Sequence, residues 1–194
     1  MSKKLWEASL NKKKNSLLYK YEQFISKKYR RKFNQKFKKI LKWSIENPGN
    51  FWSSIWDFTE IKGIKSKLKI KKSKIFYKNK FLTNSKLNFA ENLLSKNNKI
   101  KAITFISENG FREERSWQEL SSNVSKVSNF LKSIKIKKKD RVAAYLPNTI
   151  ETVEAFIASS SLGAIWSSCS PDFGVKGLVE RFSQINPKVL FVVD

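Results

Sequence analysis

The chain has 194 residues, of which 40 are lysine or arginine and 16 are aspartate or glutamate, giving a net charge of +24, with one cysteine and no histidine. That length suits one well-buried domain, or one domain with an appended helical region. The missing histidine excludes Ser-His-Asp and Cys-His nucleophile systems and the HExxH metalloprotease pattern; a lone Cys169 excludes an intramolecular disulfide and a cysteine-based zinc cluster.

The positive charge is concentrated early: residues 1–80 carry 24 basic and 5 acidic side chains. Two readings stay open. One is a basic module for nucleic acid or an anionic membrane. The other is compositional drift, since 34 of the 40 basic residues are lysine and phosphate recognition favours the planar fork of arginine. The opening MSKKLWEASLNKKKN lacks the apolar core of a secretory signal. No apolar run approaches the roughly 20 residues needed to span a bilayer, so a soluble, cytoplasmic protein is expected.

Over residues 15–29, Leu17, Leu18, Tyr21, Phe24, Ile25 and Tyr29 recur at helical spacing and predict an amphipathic helix. Phe37, Ile40, Leu41 and Ile45 predict a second, ended at Asn47-Pro48 because proline disfavours helix in the residue before it. A third follows, with an aromatic stripe of Phe51, Trp52, Ile55, Trp56 and Phe58, stopped by Gly63. Residues 62–80 hold nine lysines and little to bury, which predicts an extended or mobile connector.

Residues 102–106 and 111–115 flank Asn109-Gly110, a hairpin signal whose two turn positions both call for positive φ. Glu113 and Glu114 then point to opposite faces, which suits surface ion pairs and excludes a paired acid and base. Ser116 and Glu119 form a capping box for a long helix carrying Leu120, Val124, Val127 and Leu131 on one face. Lysines at 135, 137, 138 and 139 sit between a helix end and a strand start, so they are expected as a solvated turn away from any ligand edge.

The central stretch runs from Asp140 to Phe173. Residues 141–146 are a short apolar run suited to a strand covered on both faces. Pro147 ends it, Asn148 with Glu151 predicts a helix start, and Gly163 predicts the left-handed residue at that helix's end. A second strand begins at 164–166. Val175, Leu178, Val179, Phe182 and Ile185 predict another helix and residues 189–193 another strand. Ligands in such sheets bind at the carboxyl ends of strands, which points to Pro147, Asn148, residues 167–173 and Asp194.

The strings AAYLPN and SLGAIWSSCSPDFG, with LNFAEN upstream, resemble the acyl-adenylate-forming (AMP-dependent) synthetases and ligases, and SSCSPDFG resembles their acetoacetate-CoA ligase branch. WSIENP and FWSSIWDF are similar to the N-terminal cap region of that group, where the aromatics are structural. Phe81 and Asn84 stand where the family has tryptophan and glycine. The fold implied is α/β: a helical N-terminal cap over 1–95, then, over 96–194, the first part of a doubly wound, mostly parallel sheet of an adenylate-forming domain.

The activity implied is ATP-dependent activation of acetoacetate to an acyl-adenylate and its transfer to CoA, with Mg²⁺. The implied partners are those small molecules and the remaining C-terminal portion of the enzyme; nucleic acid is not expected. Ser170, Pro171 and Asp172 are implied as a wall of the CoA pocket. No GxxxxGK[ST] or GxGxxG string occurs, and the family's catalytic lysine, ribose-binding aspartate and magnesium glutamate are implied beyond residue 194. The chain is therefore expected to be the first part of a longer enzyme and inactive alone.

Overall fold

The computed structural model describes residues 5–193, so Asp194 lies outside the described residues. Two compact units follow one another, Met1–Lys86 and Leu87–Asp194.

The first unit is mainly helical: α1 (Leu10–Asn15), α2 (Leu17–Tyr29), α3 (Phe37–Glu46) and α4 (Pro48–Phe58). Ser16 starts α2 by accepting from the Tyr19 N–H at 3.2 Å, and Pro48 opens α4, where its missing N–H costs nothing. Tyr21, Ile25, Phe33, Ile40 and Trp43 form the core, with Phe24, Tyr29, Phe51, Ile55 and Phe58 against it. The predicted stripes are therefore only partly inward. On α2, Tyr21 and Phe24 meet α4 through Phe58, and the first turn projects past this contact, leaving Leu17 73% exposed. On α3 the buried pair is Ile40 and Trp43, and the row Phe37, Leu41, Ile45 is rotated off that face into solvent.

Two buried polar groups in this core are satisfied. The Tyr21 and Ser54 hydroxyls are 2.7 Å apart, and Glu22 accepts from the Gln35 N–H at 2.7 Å. Helix α4 stops at Phe58 with Thr59 as its cap, short of the Gly63 expected to end it. Beyond it the lysine-rich connector is extended, with one 3-10 turn (Phe76–Lys78). A two-residue antiparallel ladder joins β1 (Ile70–Lys71) and β2 (Lys80–Phe81). Asn84 has φ +72, a left-handed conformation that glycine and asparagine tolerate best.

The second unit begins with α5 (Phe89–Leu93) and the antiparallel pair β3 (Lys101–Ile106) and β4 (Arg112–Ser116). Its turn differs from the expected one: only Gly110 has positive φ, at +83. The Gly110 N–H donates to the Ser107 carbonyl and the Asn109 side chain accepts from the Phe111 N–H, so the loop spans more than two residues and one left-handed position suffices. Glu114 pairs with Lys101 and Arg112, and Glu113 with Arg115 on the other face.

Next comes α6 (Trp117–Ser133), whose Ser116 and Glu119 make the full reciprocal capping box. Then β5 (Arg141–Tyr145), α7 (Ile150–Ser161), β6 (Ile165–Cys169), α8 (Val175–Ser183) and β7 (Val189–Val192) complete the unit. The three strands form a parallel sheet in the order β6-β5-β7. Alternation along β5 divides the core. Val142 packs with Leu120, Val124, Leu131 and Ile157 of α6 and α7, whereas Ala143 packs with Cys169 and Phe182. The sheet thus has α7 on one face and α8 on the other, which is the doubly wound arrangement.

Three local expectations shift. The N-cap of α7 is Thr149, with no side-chain cap bond, in place of Asn148; Thr152 instead donates to the Pro147 carbonyl at 2.7 Å. On α8 only Phe182 is fully buried, and Val175 and Val179 are exposed. Gly163 is as expected, with φ +69.

Candidate functional site

Because α7 and α8 leave the sheet on opposite faces, the loop after β5 and the loop after β6 diverge above the carboxyl ends of two adjacent strands. Such a divergence is where parallel sheets open a ligand crevice. Its floor is the last rung of the ladder, Tyr145 beside Cys169, extended by the Leu146 N–H donating to the Cys169 carbonyl at 3.3 Å. Pro147 and Asn148 directly follow β5 and residues 170–174 directly follow β6, so the sequence-derived candidates among the described residues lie at one edge of the sheet. The lysine turn 135–139 is at the opposite edge, where the Lys139 N–H donates to the Gly163 carbonyl at 2.9 Å.

The 170–174 loop is tightly organised. Ser170 is half-buried and Pro171 and Asp172 are exposed. The Ser170 hydroxyl donates to the Asp172 carboxylate at 2.5 Å, and the Phe173 N–H donates to the Ser170 carbonyl at 3.1 Å. Below it, the Tyr145 hydroxyl lies 2.8 Å from the Pro171 carbonyl and 2.9 Å from the Phe173 carbonyl. The Arg181 guanidinium of α8 stands 4.2 Å from the centre of the Phe173 ring. Sequence reasoning did not single out Tyr145 or Arg181. The signal for Tyr145 was a residue with an apolar ring and a polar tip at the last position of a buried strand, one residue before the break at Pro147.

Cys169 is buried beneath this loop, packed with Ala143 and Phe182, which suits a packing role. A second charged group lies between the hairpin and the helices. Arg115 reaches Glu113 at 2.6 Å, Glu154 at 3.5 Å and Glu151 at 3.7 Å, and Asn123 donates to Glu154 at 2.9 Å. Burial raises the Glu154 carboxyl above its ordinary value, opposed by the Asn123 hydrogen bond and the Arg115 charge. This network ties β4, α6 and α7 together and is separate from the crevice loops.

In the first unit, Arg31, Lys32, Lys39, Lys42 and Glu46 line a groove with Phe33 and Trp43, and this is one place where the early charge excess gathers. Among the described residues no group of three or more histidine, cysteine, aspartate or glutamate side chains is placed to hold a metal ion. Also among them, no helix is long and apolar enough to cross a membrane.

A parallel α/β sheet wound on both faces, with its connecting loops diverging at the carboxyl edge, defines a ligand-binding fold of the kind that takes nucleotides. The chain belongs to the AMP-binding enzyme family, whose model matches residues 91–194. Among curated proteins it is 39% identical over 152 residues to the acetoacetyl-coenzyme A synthetase of Rhizobium meliloti (strain 1021), covering 78% of this chain and 23% of that one. It is 40% identical over 162 residues to the acetoacetyl-CoA synthetase of Xenopus tropicalis, covering 81% and 24%. The chain therefore spans about a quarter of the length of these relatives. The solved acetoacetyl-CoA synthetase from Streptomyces lividans superposes over 100% of this chain and 30% of its own, with a TM-score of 0.89 at 22% identity, a likeness of fold.

Proposed function

We propose that this chain is the opening part of an acetoacetate-CoA ligase: residues 1–95 its helical cap and 96–194 the start of its adenylation domain. The observation that carries the reading is 39 to 40% identity to acetoacetyl-CoA synthetases across about four-fifths of the chain. In the assembled enzyme the acetoacetate carboxylate oxygen attacks the α-phosphorus of ATP, forming the acyl-adenylate as the bond to pyrophosphate breaks. The CoA sulfur, having lost its proton, then attacks the acyl carbon and AMP leaves. A cytoplasmic setting and a requirement for Mg²⁺ are part of this proposal. The described residues form no cluster that fits a divalent cation, so no step is assigned to the ion here.

This chain's own contribution is positional. Ser170, Pro171 and Asp172 form a wall of the CoA pocket, at the edge where the loops after β5 and β6 part. The Asp172 carboxylate offers only acceptors and repels phosphate, so it suits a hydrogen-bond donor on CoA, the adenine amino group or a pantetheine amide. Catalytic groups for adenylation are supplied by other parts of the enzyme.

The test is a chimera in which residues 5–193 replace their aligned counterparts in the Rhizobium meliloti relative. Acetoacetate-dependent AMP formation that exceeds the acetate-dependent rate is expected. A folded chimera that prefers acetate, or that activates neither acid, overturns the reading. The 194-residue chain alone is expected to release no pyrophosphate from ATP with acetoacetate.

A further inference from the structure

The loop that follows β6 is closed on itself by the Ser170 to Asp172 and Phe173 to Ser170 hydrogen bonds, but these do not fix it to the sheet. Two side chains do. Tyr145 directs its hydroxyl at the carbonyls on either side of Asp172, those of Pro171 and Phe173. Arg181 covers the Phe173 ring from α8. The two anchors differ in rigidity. Tyr145 ends the central strand and is paired on both sides, with Cys169 of β6 and Val192 of β7, and its ring packs among Leu178 and Ile185 against the Ala143, Cys169 and Phe182 core. Arg181 rides on an exposed helical face and makes a cation-ring contact of modest strength.

A hydroxyl carries one proton, and here it is shared between two carbonyls of one short loop. Both peptide units are thereby turned toward the sheet, and the exposed Pro171 and Asp172 are left on the open side. We propose that Tyr145 is a positioning residue: its hydroxyl sets the conformation of the Ser170, Pro171, Asp172 wall against which CoA is held. This rests on the reading of that loop as part of the CoA pocket. Tyr145 itself acts through the loop, and the ordered wall spares the ligand the cost of ordering it.

The test is site-resolved amide hydrogen exchange on the full 194-residue chain, with tyrosine, phenylalanine or 4-aminophenylalanine at position 145. Tyr145→Phe keeps the ring and removes the donor. It is expected to speed exchange of the Asp172 and Phe173 amides by about threefold to tenfold, the range set by one lost hydrogen bond. The amides of β5, β6 and β7 and the urea midpoint should be unchanged. The amino-substituted residue, which restores a donor at the same place, should return the loop to its original rate.

Unchanged loop exchange in the phenylalanine variant, or no rescue by the amino group, overturns the proposal. A rise that includes the strands means general loosening and overturns it too. Repeating the measurement with millimolar CoA on the full-length chimera described above, with tyrosine or phenylalanine at position 145, separates this proposal from the reading beneath it. Slower exchange at 170–173 in the wild type, and less slowing in Tyr145→Phe, is expected. A loop that responds to the substitution and ignores CoA overturns the pocket assignment and leaves the clamp standing.

Discussion

The side-chain amide of Asn88 donates to the carbonyl of Ser161 at 3.0 Å, and to that of Ser160 at 3.2 Å, across more than 70 residues of chain. Its oxygen accepts from the Glu91 N–H at 3.1 Å. One asparagine therefore caps the start of α5 with its acceptor and the end of α7 with its donors. Both ends expose unpaired backbone groups of the kind its two halves can satisfy. Asn88→Ala is expected to lower unfolding free energy by about 1–2 kcal/mol, read from urea denaturation. Asn88→Asp keeps the acceptor but sets a negative charge beside the negative end of α7. It should be no better than alanine, and a wild-type midpoint for the aspartate variant would remove the double-cap account.

Glu154 gives a pH signature. Burial lifts its carboxyl above the ordinary value, opposed by Asn123 and Arg115. A group that keeps its proton to higher pH when folded contributes stability that is full below its unfolded value, about pH 4, and lost as pH rises through the folded one. Glu154→Gln removes the ionisation and retains an acceptor for Asn123. The variant should match or exceed wild type by up to about 1 kcal/mol at pH 7. That difference should shrink on acidification toward pH 4. An advantage that instead grows toward acid would contradict the sign.

Asp57 behaves in the opposite sense. Burial pushes its carboxyl upward, but hydrogen bonds and charge from Lys28 and Lys65 outweigh this and hold it below the ordinary value. Lys28 makes an ion pair with it and Lys65 lies at 2.5 Å, itself also donating to the Ser53 carbonyl at 2.8 Å. Stability from a depressed carboxyl is present above its unfolded value and lost as pH falls through the folded one. Asp57→Asn should cost about 1 kcal/mol at pH 7, measured by tryptophan fluorescence in urea. The gap between wild type and variant should narrow as pH falls below the unfolded value, about pH 4.

Two glycines separate strain from crowding. Both Gly110 and Gly163 have positive φ, but a Cβ at Gly110 meets nothing within 4 Å, whereas one at Gly163 lies 3.1 Å from Lys138 Cγ. Gly110→Ala should carry the left-handed penalty alone, about 1–2 kcal/mol. Gly163→Ala should cost more, because the β5 approach must also give way. Equal losses in parallel thermal melts would show that the lysine stem yields freely.

The α/β alternation was legible because residues 141–146 are a nearly continuous apolar run and α6 carries its apolar residues at helical intervals. The carboxyl-edge site followed from topology alone. Facing was less legible. Periodicity groups Phe37, Ile40, Leu41 and Ile45, yet of these only Ile40 is buried, paired with Trp43, because the partner aromatic residues Tyr29, Phe33 and Phe51 lie around Trp43. Tyr145 read as the end of a core strand; its role depends on where a loop 26 residues later returns, and no local pattern contains that. The Arg115 network was hidden for the same reason: its carboxylates come from β4 and from α7.

The cores of the two units have no residue in common: one is built from aromatic rings between Tyr21 and Phe58, the other from aliphatic layers between Ala90 and Phe191. Tryptophan fluorescence can therefore be made to report on each half of the molecule. Trp43 lies in the first core, and Trp117 and Trp166 pack against the second. Replacing all the tryptophans of one unit with phenylalanine makes the transition of the other separately visible, so a lesion can be assigned to the half it injures.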